Sequence, residues 1–166
     1  SFLNRQSGIK AAYLAEAPGG FIESTVTARR KFLGPKYAGI CDSHCAISLS
    51  SPMYAVPSWR LSRHWMRRHG VVLHQGAAHD GNLYKRTNVE SFIEACGGEG
   101  TCDLVTGDGG FDFSSNFNNQ EKDTQLLIAT EMYMGLRLLN AEGTLVVKIF
   151  DFFLEESQKL LAHVCR

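Results

Sequence analysis

The sequence of 166 residues predicts an α/β domain, a doubly wound and mostly parallel sheet with helices on both faces. Two observations predict it. Short apolar runs alternate with stretches of helical periodicity along the chain. The first run, Ala11-Ala-Tyr-Leu-Ala-Glu16, stops at an acid, and a Pro-Gly-Gly turn and a new periodicity follow, as in a buried strand, a tight turn and a helix start. Right-handed crossovers then bring ligand sites to the carboxyl ends of the strands.

Ser1 to Lys10 is polar and reads as the end of a helix. Ala12 to Ala17 is the first strand. Gly20 to Arg30 is a helix whose basic end suits its C-terminus. Lys36 to Cys41 reads as a second strand closing on Asp42, and Ser43 to Ser58, rich in Ser and Pro, as loop. Arg60 to Arg68 is basic and is flanked by Trp59 and contains Trp65. It fits a solvated amphipathic helix or a phosphate-contacting face with aromatic stacking. Gly70 to Gln75 is the third strand, and Gly76 to Asn82 a loop.

Asn88 to Cys96 is a helix with Val89, Phe92 and Ile93 on one face, broken at Gly97-Gly-Glu-Gly100. Cys102 to Gly107 is the fourth strand, ending in Asp108-Gly-Gly, and Ser114 to Asn119 is loop. Asp123 to Leu139 is a helix, with Leu126, Leu127, Thr130, Met134 and Leu138 in helical spacing, ended by Asn140 to Gly143. Gly143 to Phe150 is the fifth strand, and Phe153 to Val164 the last helix.

The length suits one domain, residues 1–166, and the opening at Ser1 suggests a piece excised from a longer protein. No apolar run approaches the length that spans a membrane. Lys plus Arg and Asp plus Glu number 17 each, so global charge gives no argument for nucleic acid; the segment around Arg60, Arg63, Arg67 and Arg68 gives a local one. The five cysteines lack the tight paired spacing of a zinc site, so no metal is expected, and reduced thiols in a cytoplasmic setting are.

Strand ends supply the candidate site: Glu16 to Gly20, Asp42, the group His79, Asp80 and Asn82, Asp108, and Lys148. An acid after a second strand is placed for ribose hydroxyls, or else caps a turn. Lys148 lies within Leu-Val-Val-Lys-Ile-Phe, where burial is expected; beside Asp108 it would form an acid–amine pair, and at an edge it would snorkel.

Three motifs in order, Glu16-Ala-Pro-Gly-Gly-Phe21, Asp103-Leu-Val-Thr-Gly-Asp-Gly-Gly-Phe111 and Gly143-Thr-Leu-Val-Val-Lys-Ile-Phe150, resemble the FtsJ-like RNA ribose 2′-O-methyltransferases, in particular viral and eukaryotic cap-modifying members. The resemblance covers nearly the whole chain and implies a Rossmann-like fold, S-adenosyl-L-methionine as methyl donor and RNA, the capped 5′ end of mRNA, as substrate. It implies a cytoplasmic setting, the host's if the source is viral, and companion domains of a larger polyprotein. It places the cofactor on Glu16, Ala17, Pro18, Gly19, Gly20 and Phe21, with Asp108, and adenine contacts on Asp80, Asn82 and Leu83, where Asn82 replaces a more usual acid.

The family's catalytic tetrad is Lys-Asp-Lys-Glu. Asp108 matches its second member and Lys148 its third. Lys10 precedes the first strand and would sit roughly 20 Å from the site, so the first lysine is expected upstream of Ser1. The final glutamate is expected beyond the last helix, since Glu155 and Glu156 come too soon. A methyltransferase with a non-RNA substrate would share the Pro-Gly-Gly loop without needing Lys148. A catalytically inactive binding module is the other rival. A nicotinamide enzyme is disfavoured, because no Gly-x-Gly-x-x-Gly follows the first strand.

Overall fold

The computed structural model describes residues 1–50, 56–110 and 120–164. Phe111, Asp112, Cys165 and the loop expected at 114–119 lie outside them. Five strands, β1 (Lys10–Leu14), β2 (Ser43–Ile47), β3 (Val71–His74), β4 (Cys102–Gly107) and β5 (Leu139–Val147), form one sheet in the order β3-β2-β1-β4-β5. Every pairing is parallel. Helices α1 (Gly20–Leu33), α2 (Arg63–Arg68), α3 (Arg86–Ala95) and α4 (Gln120–Leu138) make the crossovers, and α5 (Glu155–Val164) follows β5. This is the doubly wound architecture expected from the alternation of runs.

Successive residues of a strand point to opposite faces, and β1 divides accordingly. Ala12 and Leu14 join Ile47, Phe92, Val105 and Met134 in one core. Ala11 and Tyr13 join Ile22, Ala46 and Leu104 in the other, onto which Trp59 and Trp65 also pack. Both indoles are thus engaged with the core, while Arg60, Arg63, Arg67 and Arg68 are exposed. The segment presents exposed cations, with its two indoles partly buried against the core.

The second strand is not where the sequence suggests. Residues Gly34–Gly39 form a 3-10 turn, and β2 begins at Ser43. Gly34 takes φ +56° to leave α1, and Pro35, with no N–H and a fixed φ, suits the first helical turn rather than a ladder. Lys36, Ala38 and Gly39 stay exposed, so that run has no apolar face to bury. The true strand is disguised by Ser43 and His44. His44 is fully buried, with Nδ1 2.7 Å from the Tyr13 hydroxyl. Burial pushes its pKa down to about 4 and keeps it neutral in the sheet.

Asp42 consequently precedes β2, at the amino edge, opposite to the edge where ligands bind. Both its carboxylate oxygens accept from the buried Arg29 guanidinium, at 2.7 and 2.8 Å, and Oδ1 also accepts from the Ile9 N–H at 2.9 Å. Arg29 further donates to the Phe2 and Arg5 carbonyls. The sugar-reading role expected for Asp42 is corrected to a structural one: it ties α1, β2 and the N-terminal segment together.

Helix α4 runs straight into β5, without the Asn140–Gly143 break, and the β4–β5 register shifts between Cys102 and Leu104. Its buried stripe is Leu127, Glu131, Met134 and Leu138, whereas Leu126, expected on that face, is 64% exposed. Cys45, Cys96 and Cys102 are buried free thiols, and Cys41 is an exposed one.

Candidate active site

The carboxyl edge gathers most of the residues the strand ends supply. After Leu14 the chain turns through Ala15 (φ +51°), a cis Ala17–Pro18 peptide and Gly19 (φ +116°) into α1. Gly19 is needed twice over: its φ is one that residues with a Cβ rarely adopt, and a Cβ would stand 2.8 Å from Leu61. Gly20 faces open space, with nothing within 4 Å of where its Cβ would be. The Pro18 carbonyl accepts from the Arg60 N–H at 3.1 Å, so Arg60 is fixed beside the turn.

Glu16 lies beneath this turn, fully buried, rather than in the open crevice. Its Oε1 accepts from the Phe21 N–H at 2.6 Å and the Ile22 N–H at 3.4 Å, capping α1. Those donors, which a helix start leaves without intrahelical partners, are therefore taken by the protein's own acid. Phe21 is half-buried against the Tyr13 core. Burial pushes the Glu16 pKa up to about 7; the Phe21 hydrogen bond opposes this, and the nearby Asp108 charge adds to it.

Asp108 follows β4, its N–H donating to the Leu14 carbonyl at 3.1 Å, and the Lys148 N–H donates to the Gly107 carbonyl at 2.8 Å. These two backbone bonds bring the candidate pair together at adjacent strand ends. The Lys148 ammonium donates to Asp108 Oδ1 at 2.6 Å and to the Asp108 main-chain oxygen at 2.9 Å. Its nitrogen also lies 5.2 Å from the Phe150 ring centroid. Lys148 is one residue beyond β5 and its side chain is 40% exposed, so it is a strand-end lysine within reach of solvent rather than a buried one. An ammonium has three N–H bonds. Among the described residues Asp108 takes two, which leaves one to offer.

The sequence reading misses one member of this group, Glu131. It is fully buried on α4, and its Oε1 accepts from the Gly109 N–H at 2.8 Å. A Cβ at Gly107 or Gly109 would come within 2.8 or 2.5 Å of its carboxyl. Those glycines are thus needed because an acid lies flush against the turn after β4. Its position at the fourth residue after Leu127, in the buried stripe, is the signal that could have found it. Burial pushes its pKa up to about 8, against the Gly109 hydrogen bond and the Lys148 charge. Its Oε2 and that of Glu16 are buried without a partner among the described residues.

One pH dependence follows. The folded protein keeps a proton on Glu131 between the ordinary pKa of 4.5 and about 8, while the unfolded chain loses it. The stability this contributes is whole below 4.5 and is lost as pH rises through 8. Glu131→Gln keeps the acceptor for Gly109 without ionising. The variant should match the parent at pH 4 and exceed it at pH 9, by on the order of 3 kcal/mol, read as the difference in denaturant midpoints. A gap independent of pH would refute this account.

Beyond β3, Asp80 Oδ1 accepts from the Asn82 N–H at 3.1 Å and from the Asn88 amide at 2.7 Å, while Oδ2 pairs with Lys85 at 2.6 Å. These donors, Lys85 foremost, hold its pKa down to about 2. Asn82 Oδ1 accepts from the Tyr84 N–H at 2.9 Å. Leu83, expected at the adenine, is instead 5% exposed in the Phe92 core, because it anchors the loop to the sheet. Lys10 opens β1 at the opposite edge, its ammonium close to Gly97. Glu155 and Glu156 are exposed on α5, where Glu155 pairs with Lys159 at 2.6 Å.

A parallel sheet in this order, with a glycine turn after β1 and an acid–lysine pair across the ends of β4 and β5, is that of the Rossmann-like methyltransferases. Within that class the chain belongs to the FtsJ-like methyltransferase family, whose family model matches residues 2–166. It is also similar to the Cap-specific mRNA (nucleoside-2′-O-)-methyltransferase 2 of Drosophila melanogaster, at 36% identity over 83 residues, 49% of this chain. That match covers 12% of the fly protein, so the chain corresponds to a small part of its length.

Proposed function

We propose that this chain is the methyl-transfer domain of an S-adenosyl-L-methionine-dependent RNA ribose 2′-O-methyltransferase that acts on the cap region of mRNA. The observation that carries the reading is the Lys148–Asp108 pair at 2.6 Å, in a chain of the FtsJ-like family with a cap methyltransferase among its relatives.

The edge fits a cationic donor. Glu16, Asp108 and Glu131 place three carboxyl groups around one ammonium; burial holds the proton on Glu131 up to about 8 and on Glu16 up to about 7, and a cation bound beside them would favour their ionised forms. Gly19, Gly20 and Phe21 would hold the donor's amino-acid end, and the loop from Asp80 to Asn82 its adenosine. Bound there, S-adenosyl-L-methionine would supply a methyl group activated by a sulfonium.

The residues do the rest. A ribose hydroxyl is a weak nucleophile at neutral pH. As its oxygen takes the methyl group, the donor would leave as a thioether and the hydroxyl proton would pass to solvent, while the N–H of Lys148 not taken by Asp108 stabilises the alkoxide charge that develops. Asp108 holds the ammonium from two sides, and Glu131 fixes the turn that carries Asp108 through the Gly109 N–H. Alignment of donor and acceptor on so fixed a frame can supply about 7–11 kcal/mol of the barrier. Free thiols suit the cytoplasm, where we place the protein.

The test is transfer of tritium from labelled S-adenosyl-L-methionine to capped RNA, uncapped RNA and protein. Label on the 2′-oxygen of capped RNA is the expected result. Label on protein alone, or none with the cofactor bound, would overturn the reading.

A further inference from the structure

A cleft of about 870 Å³ opens at the amino edge of the sheet, away from the Lys148 chemistry, between the ends of α1 and α2. Arg30 and Lys31 enter it from α1, Arg67 and Arg68 from α2, with His69 beside them and Tyr37 opposite. Cations in the last turn of a helix complement its dipole, which accounts for a basic end on each helix. It does not account for both ends facing one cleft. The four long cations are exposed and have no ion-pair partner among the described residues. The carboxylate that also lines the cleft, Asp42, is already matched by buried Arg29. In a chain of zero net charge, this is a local concentration of positive potential.

The cleft is linked to the methyl-transfer edge. Arg60 is bonded through its N–H to the Pro18 carbonyl, Arg63 opens α2, and Arg67 and Arg68 close it. Exposed arginines therefore run from one edge of the sheet to the other, a span of roughly 17 Å for a five-residue strand. The cations are spread over two helix ends in an open cleft rather than converging on one point. That suits a chain of phosphates better than a single phosphate group.

We propose that this cleft holds the phosphate backbone of single-stranded RNA downstream of the methylated nucleotide, which reaches it along Arg60 and Arg63. The proposal rests on the RNA reading above. Two variants test it, Arg30→Gln/Arg67→Gln and Lys31→Gln/Arg68→Gln, all at exposed positions. Methyl transfer is measured on a capped dinucleotide and on a capped oligoribonucleotide of about 12 nucleotides. Binding of a fluorescein-labelled uncapped oligoribonucleotide is measured alongside. For each variant, KM for the longer RNA should rise about tenfold and its logarithmic salt slope should fall by roughly 1.4, two lost contacts at about 0.7 each. The dinucleotide KM and kcat should not change.

An unchanged slope and KM for the longer RNA would overturn the proposal, and so would an equal loss on both substrates. If the parent protein transfers no methyl group to RNA, the proposed function fails separately. Binding of the labelled RNA then decides about the cleft: a tenfold loss in the variants supports it, and none refutes it.

Discussion

Lys148→Ala should lower kcat for methyl transfer by at least about 10²–10³-fold, the loss typical of removing one preorganised donor from a developing oxyanion. Binding of S-adenosyl-L-methionine should stay within a few-fold of the parent, because Lys148 touches Asp108 and Phe150 rather than the glycine turn. The fold should persist, since the side chain is 40% exposed and Asp108 can be rehydrated. Lys148→Arg sharpens the test. It retains the charge but replaces a compact ammonium with a planar fork, so most of the loss should remain if placement matters. Single-turnover rates and equilibrium binding, measured on the same samples, separate the two effects. Turnover near that of the parent in Lys148→Ala would remove Lys148 from the chemistry.

The largest effect on stability is expected at the other edge of the sheet. Arg29→Leu leaves the Asp42 carboxylate buried with its guanidinium partner gone and frees the Phe2 and Arg5 carbonyls. Breaking one side of such a pair costs about 3–5 kcal/mol, a fall of on the order of 10 °C in Tm for a chain of this size. Arg29→Leu/Asp42→Leu should recover part of that loss, because no charge is then stranded. If the double variant is no more stable than Arg29→Leu, the pair is not the cause. Asp42→Asn should leave cofactor affinity unchanged, as its position at the amino edge requires.

These two sites differ in how legible they are in the sequence. Asp108 and Lys148 are forty positions apart, yet each ends a strand that its apolar run announces. A parallel sheet brings such ends to one edge, so the pairing follows from strand order. The turn from Glu16 to Gly20 is legible for the same reason. Asp42 misleads because Tyr37-Ala-Gly-Ile40 looks like a strand, while Pro35 and the lack of a buried face make it a turn. The strand itself is masked by His44, whose polarity is offset by a hydroxyl on β1 that local sequence does not reveal. Glu131 is hidden by the usual expectation that an acid in a helix faces water. Its burial depends on the approach of Gly107 and Gly109, which is a tertiary fact. The convergence of Arg30, Lys31, Arg67 and Arg68 has the same character: each helix end is ordinary alone, and only their packing makes a cleft.

The capping of α1 by Glu16 has a consequence for selectivity among cellular metabolites. Most nucleotides in a cell carry phosphates, and a helix start after the first strand is where many α/β proteins welcome them. Here the Phe21 and Ile22 donors are occupied, and the occupant is an acid whose buried second oxygen has no partner among the described residues. A pyrophosphate brought to this turn would find those donors already taken, so the turn lacks the anion site on which dinucleotides and nucleoside triphosphates rely.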